Sequence, residues 1–394
     1  MAVATFHKDR LRRLRVVARQ HVDAGEAPGY VALVERRGEL VIDVVGHVAF
    51  GGAAMREESL FRLASMTKPV TAAATLLLCE ECVIRLDDPV SAYLPELASP
   101  RVIADPAGPL EQTVPAARDV TVRDLLTFTM GFGAAFEDTP LTRRARELGV
   151  GVGIPAPQSM VDPDEFVRRL GSLPLMAQPG ERWLYHTGSE ILGVLISRVT
   201  GSSYASVLHD RVLAPLGMKD TGFAVPPRDV GRLVTCYQRD PATGEFSLYD
   251  APDGQWARPP AFASGGAGLV GTAEDFLAFA QMLRRGGAPL LARSSVDAMT
   301  TNQLTDAQRA RSGLLPGDFD ARGWGYGLSV VTRLTDPAAP VGQYGWTGGL
   351  GTYWCNDPHE DMTIIVLTNA AFTSPKPPPL IADYVTGVYA ALAD

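Results

Sequence analysis

Apolar positions in this chain switch between two periods, and the switches mark its elements. Leu11, Leu14, Ala18 and Val22 recur at helical spacing with arginines between them, predicting an amphipathic first helix that Gly25 ends. Residues 29–35 and 39–45 are apolar and rich in β-branched side chains on either side of Arg36-Arg37-Gly38, which predicts a β-hairpin. Residues 70–78 are apolar all round, as in a helix buried on every side. Pro69 fits its first turn, where the missing backbone donor would have no partner, so this helix starts close to Ser65. From 87 to about 282 the pattern is mainly helical, with helices expected at 121–128, 162–170, 189–200, 204–213 and 272–283. Strand patterns return at 326–334, 343–346, 352–356 and 362–368. A helix at 380–392 follows the Pro-rich linker 375–379.

Strands at both ends of the chain and helices between them predict an α+β fold. Residues 1–88 and 291–394 would form an α/β sandwich from discontinuous halves, one antiparallel sheet covered by the terminal helices. Residues 89–290 would form a mainly helical lobe, and the cleft between the two is the natural place for an active site.

The 394 residues are 46% apolar and 20% charged, enough for a substantial core. A net charge of -8 argues against nucleic acid or an anionic membrane as partner. Lys8, Arg10, Arg12, Arg13, Arg15 and Arg19 are followed by no apolar run of the kind a secretory signal has, and no stretch is long enough to span a bilayer. A cytoplasmic protein is therefore expected, with a homo-oligomer left open. Cys79, Cys82, Cys236 and Cys355 are too scattered for a disulfide framework. They are read as reduced core thiols, since Cys79 and Cys82 have no second Cys or His pair at zinc spacing. No metal and no organic cofactor is implied.

The chemistry concentrates at Ser65-Met66-Thr67-Lys68. Residues three apart share a helix face, so both side chains can enter one pocket. A serine hydroxyl needs a neighbouring base to attack at neutral pH, and Lys68 can serve only as a free amine. Desolvation and the positive end of the helix dipole both disfavour its ammonium form. The backbone N–H of Ser65, free at the helix start, can form half of an oxyanion hole. The tetrapeptide is common, so it gains meaning only with partners. Tyr185 lies in the turn Pro179–Gly188 ahead of an apolar helix, and its phenol can share the Ser65 proton with Lys68. Gly345-Trp346-Thr347-Gly348-Gly349 ends one strand and precedes another, so an amide from Gly349 can complete the oxyanion hole.

These segments together resemble the serine β-lactamase and penicillin-binding-protein superfamily, in particular the class C-like family VIII carboxylesterases. The likeness runs from Leu60 to Asn369. Phe61-Arg62-Leu63-Ala64-Ser65-Met66-Thr67-Lys68 resembles the nucleophile motif, and Leu125-Leu126-Thr127-Phe128-Thr129-Met130-Gly131 a loop at the pocket rim. Ser264-Gly265-Gly266-Ala267-Gly268-Leu269-Val270 and Leu213-Ala214-Pro215-Leu216-Gly217-Met218 are similar to further landmarks. The departures bear on substrate. Where class C β-lactamases have Tyr-x-Asn and Lys-Thr-Gly, this chain has Tyr185-His186-Thr187 and Trp346-Thr347-Gly348. An indole cannot replace the point charge that would bind a substrate carboxylate.

The resemblance implies a serine carboxylesterase that hydrolyses short-chain carboxylic esters through an acyl-enzyme, with Ser65, Lys68 and Tyr185 as its catalytic centre. Gly349 and Gly348 would belong to the oxyanion and substrate-binding turn. Trp346, Phe128, Met130, Phe132 and His186 would line or rim the pocket. The expected partner is a small-molecule ester. A β-lactamase, a D-aminopeptidase or amidase, or an acyltransferase of the same fold are the alternatives. A binding protein that keeps the fold without catalysis is a further one, and no G-x-S-x-G is present to suggest another hydrolase fold.

Overall fold

A computed structural model describes residues 5–135 and 137–393. The chain opens with α1 (Lys8–Asp23), the strands β1 (Gly29–Arg36), β2 (Glu39–Gly46) and β3 (Phe61–Arg62), and α2 (Thr67–Glu80). The middle carries β4 (Arg101–Ile103), β5 (Thr113–Pro115), α3 (Val122–Thr127), α4 (Pro140–Glu147), α5 (Pro163–Gly171), α6 (Thr187–Thr200) and α7 (Tyr204–Leu208). It continues through β6 (Cys236–Arg239), β7 (Phe246–Asp250), β8 (Val270–Gly271) and α8 (Ala273–Arg284). The last part holds α9 (Arg293–Met299), α10 (Asp306–Ala310), β9 (Arg322–Trp324), β10 (Ser329–Val331), β11 (Tyr344–Gly348), β12 (Thr352–Asp357), β13 (Met362–Thr368) and α11 (Pro379–Ala390).

Seven strands form one antiparallel sheet in the order β2-β1-β13-β12-β11-β10-β9, so both ends of the chain build it. β1 and β13 lie inside it and are buried along their whole length, because alternate residues face two different cores. Tyr30, Ala32, Val34, Ile364 and Val366 pack under α1 and α11. Val31, Leu33, Ile365 and Leu367 face the opposite way, into the larger core that includes the helical lobe. The β1–β2 turn is the pair Arg37-Gly38, both at positive φ, which matches the twist of a two-residue hairpin.

Four expectations are corrected. The strand expected at 326–334 is only the three-residue β10, which forms an antiparallel hairpin with β9, a short strand that precedes the expected range. A Cβ at Gly325 would lie 2.0 Å from the Met299 carbonyl oxygen. Gly327, at φ +74, brings the backbone against α2, where a Cβ would lie 2.9 Å from the Lys68 carbonyl oxygen. The 89–290 segment is less purely helical than expected, since it contains β4 to β8. Its last helix, α8, packs on β13, β1 and β12 rather than in the helical lobe. Cys82 is not a core thiol: it follows the end of α2, at φ 58, and is exposed, while Cys79 is half-buried and Cys236 and Cys355 are buried. The helix expected at 204–213 is α7 running on into one wide π turn.

Candidate active site

Ser65 sits in a single 3-10 turn, Ala64–Met66, between β3 and α2. Ala64 is at φ 46, a left-handed conformation that costs a non-glycine residue energy and needs its surroundings to hold it. Those surroundings are specific. Arg62, fully buried, donates to Asp250 Oδ2 and to the carbonyls of Val234, Asp250 and Ala251, which fixes the strand entering the turn. Thr67 Oγ1 donates to Ala64 O at 2.7 Å, and Thr352 Oγ1 donates to Leu63 O at 3.0 Å. A Cβ at Gly348 would stand 2.2 Å from Leu63 O, so only glycine lets β11 lie this close to the nucleophile turn. Gly348 therefore acts behind the cleft wall, and its neighbour Gly349 lines the cleft together with Ser65. The amides of Ser65 and Gly349 donate to no other group among the described residues.

Lys68 is completely buried, with Nζ 2.9 Å from Ser65 Oγ, 2.6 Å from Gly266 O and 3.0 Å from His186 Nδ1. A neutral amine has two N–H donors and one lone pair. Gly266 O and His186 Nδ1 take the donors, leaving the lone pair for the Ser65 hydroxyl. Burial pulls the lysine down to about 7, with the Glu190 carboxylate opposing the shift. Free amine and ammonium are therefore both populated near neutrality.

Tyr185 is delivered by the loop before α6. That loop is fixed because Ala134 N–H donates to Tyr185 O, while Gly133 has no Cβ to collide with the Leu184 and Tyr185 carbonyls. The phenol takes a hydrogen bond from Trp346 Nε1 at 2.8 Å and is within hydrogen-bonding reach of Ser65. The Lys68 nitrogen lies 4.4 Å from the centre of its ring. Burial pushes the phenol well above its ordinary range, and the hydrogen bonds with Ser65 and Trp346 only partly offset this, so Tyr185 is a protonated hydroxyl at neutral pH.

The remaining expected pocket residues divide. Trp346 lines the cleft and stands edge-on to Trp324, with ring centres 4.6 Å apart. Phe132 also lines it. Phe128 does not: at φ 59 it turns inward and packs in a buried aromatic cluster with Trp183 and Trp324. Met130 is likewise buried, in the main core. His186 also lines the cleft, with both ring nitrogens engaged by protein: Nδ1 faces Lys68 and Nε2 lies 3.0 Å from Glu190 Oε1. Burial and the Lys68 charge lower its tendency to protonate.

Glu190 is the residue the sequence reading passed over. Its signal was an acid four residues after His186 on an otherwise apolar helix, a spacing that places the two on one face. Burial drives its carboxyl upward, but hydrogen bonds from His186 and Ser264 and the Lys68 charge outweigh this and leave it below the ordinary range. The cleft in front of these groups has a volume of ≈ 790 Å³. Its walls include Ile154, Tyr249, Leu350 and Phe372, and it receives residues from both the sheet side and the helical lobe.

A serine against a buried amine and a phenol, in a cleft between an antiparallel sheet and a helical lobe, is an arrangement of the β-lactamase-like fold. The chain belongs to the Beta-lactamase family, whose model matches residues 14–384. It is 36% identical to protein Rv1367c of Mycobacterium tuberculosis over 364 residues, covering 89% of this chain and 87% of that one. It is 34% identical to esterase EstB of Burkholderia gladioli over 392 residues, covering 94% and 93%. Among solved structures, EstCE1, a hydrolase with promiscuous acyltransferase activity, superposes with a TM-score of 0.78 at 25% identity over 96% of this chain and 98% of that one. The simvastatin synthase LovD of Aspergillus terreus shares the fold, with a TM-score of 0.80 at 20% identity over 98% and 99%.

Proposed function

We propose that this protein is a serine carboxylesterase that hydrolyses uncharged, short-chain carboxylic esters through an acyl-enzyme. The observation that carries the reading is the desolvated Lys68 amine 2.9 Å from Ser65 Oγ. As Ser65 Oγ attacks the ester carbonyl, its proton passes to the Lys68 lone pair. The carbonyl π electrons move to oxygen, and the amides of Ser65 and Gly349 receive the oxyanion. Collapse expels the alcohol oxygen, which takes back the proton from Lys68 through the Tyr185 hydroxyl. Water then attacks the acyl-Ser65 carbonyl, giving its proton to Lys68. The second collapse releases the acid, and Ser65 is reprotonated.

The choice of esters rests on Trp346. By the resemblance to class C β-lactamases it stands where a cationic lysine would bind a β-lactam or peptide carboxylate, and its N–H is already held by Tyr185. Similarity to esterase EstB and to EstCE1 supports the same reading. Acyl transfer to an alcohol is the second reading. It is favoured by the size of the cleft, which leaves room for an acceptor beside the acyl group, and by the promiscuous acyltransferase activity of EstCE1.

The test is twofold. A fluorophosphonate adduct mapped by mass spectrometry is expected on Ser65 and absent in Ser65→Ala, and an adduct on another serine overturns the assignment. Turnover of a short-chain p-nitrophenyl ester is expected to exceed that of a cephalosporin by a wide margin, and the reverse overturns the ester reading. Added alcohol that diverts product from acid to ester would establish the transfer reading.

A further inference from the structure

We propose that Glu190, acting through His186, is a positioning residue that holds Lys68 against Ser65 and sets its protonation. The proposal rests on Ser65 and Lys68 forming the nucleophile pair described above. An imidazole carries one proton in its neutral form. With Nε2 3.0 Å from the Glu190 carboxylate, that proton belongs on Nε2, so Nδ1 presents a lone pair to Lys68 Nζ 3.0 Å away. Carboxylate, imidazole, amine and hydroxyl thus form one chain.

The chain of groups is closely supported. Ser264 Oγ donates to Glu190 Oε1 at 2.6 Å and accepts the Ala267 N–H at 2.9 Å. The Gly266 carbonyl takes an N–H of Lys68. A Cβ at Gly266 would lie 2.8 Å from both Glu190 Oε1 and His186 Cε1, so this backbone fits only as glycine. His186 itself is held at φ 87, a strained conformation for a residue with a side chain. Glu190 Oε2 is buried without a partner among the described residues. A carboxylate kept this dry is costly to hold, and the adjacent residues Ile191, Leu192, Val194 and Leu195 show that the helix is otherwise packed with apolar side chains. The titratable groups facing Lys68 are Tyr185, His186 and Glu190. Tyr204, nearby on α7, is a neutral phenol hydrogen-bonded to Thr71. Among the described residues, Glu190 is therefore the one negative charge that meets the ammonium when Lys68 takes the Ser65 proton.

Removing that charge has two effects of opposite kind. The ammonium loses its counter-charge, so Lys68 deprotonates at lower pH and the acid limb of reactivity moves down. The same loss weakens stabilisation of the ammonium that forms during attack, so the plateau falls. The measurement is the rate of Ser65 phosphonylation by a fluorophosphonate across pH, with ester kcat/KM followed in parallel. For Glu190→Gln we expect an acid limb shifted to lower pH and a plateau reduced about 10- to 100-fold, by analogy with the loss when a carboxylate supporting a metal-bound histidine is removed. Glu190→Asp should recover part of the plateau. His186→Asn keeps the charge but cuts the link, so its plateau should also fall, and adding Glu190→Gln to it should cost little more. A Glu190→Gln enzyme that loses rate with its pH midpoint unmoved overturns the proposal, as does one with the wild-type profile. If Glu190→Gln fails to fold, His186→Asn with a wild-type plateau overturns it. Ser65 labelled with the expected pH shifts but no ester turned over would sink the esterase reading and leave this one standing.

Discussion

Lys68 is an amine stripped of water, and its reactivity should follow its proton. With burial holding it near 7, kcat/KM is expected to rise with pH through about 7 as the ammonium gives way to the free base. Tyr185, whose hydroxyl is held protonated by burial, should contribute no loss on the alkaline side near neutrality. Lys68→Arg keeps length and charge but cannot release its proton, so a loss of about 10³-fold in kcat/KM is expected, within the range for a missing general base. Steady-state kinetics across pH check both. Tyr185→Phe separates the phenol's role from the amine's. If Tyr185 hands the proton to the departing alcohol, alkyl esters should lose about 10²-fold or more in kcat. A p-nitrophenyl ester, whose leaving group needs no proton, should lose much less. At this scale the sequence revealed what is local. Ser65 and Lys68 lie one turn apart, and Tyr185 stands just before a helix, so their roles were readable without a structure. The roles of His186 and Glu190 depend on the 264–267 loop, some seventy residues away in the chain, which no spacing encodes. Phe128 and Met130 were misplaced because a motif-adjacent apolar residue can turn toward cleft or core, and the left-handed backbone at Phe128 sends it inward.

The nucleophile turn works because short elements are clamped around it. β3 is only two residues long and pairs with the equally short β8, so ladder hydrogen bonds alone cannot fix it. Arg62 supplies the rest through its buried pair with Asp250 at the end of β7. Removing one member of such a pair leaves the other charged and dry. Arg62→Leu is therefore expected to cost about 3–5 kcal/mol of stability, read from the shift in urea midpoint at unchanged slope. If the unfolding free energy falls by less than 1 kcal/mol, the clamp is not where the turn gets its rigidity. Elements of this length leave almost no periodicity, which is why β3 to β8 escaped the sequence reading. β13 was placed at 362–368 from the sequence because seven successive apolar or β-branched residues, buried on both faces, leave no other reading. The β9–β10 hairpin was hidden because its turn carries Gly325 and Gly327, which approach Met299 and α2 through contacts invisible along the chain.

On the scale of the whole molecule, the antiparallel sheet and its terminal helices were legible, whereas the side α8 would join was not. A helix with a broad apolar face can cover a sheet or enter a helical core, and only the three-dimensional proximity of β1, β12 and β13 decides. The sheet holds the two ends of the chain together, and α1 and α11 close one of its faces by crossing at Gly387, where a Cβ would lie 2.5 Å from Leu14 Cδ1. That crossing belongs to the core of Leu14, Ala18, Tyr384 and Val388, on the face away from the core that contains Met66 and Val70 beside the nucleophile turn. The helix crossing and the chemistry thus lie on opposite faces of one sheet, and a change at the crossing should lower stability without altering the chemistry. Gly387→Leu forces the helices apart, and overpacking of this kind costs about 1–3 kcal/mol. The variant should unfold at lower urea concentration than the wild type. At a temperature where both remain folded, its kcat/KM and the pH at which kcat/KM reaches half its plateau should match the wild type. A variant equally destabilised but with an altered acid limb would mean that the strain crosses the sheet to Lys68, and the separation of faces would then be wrong.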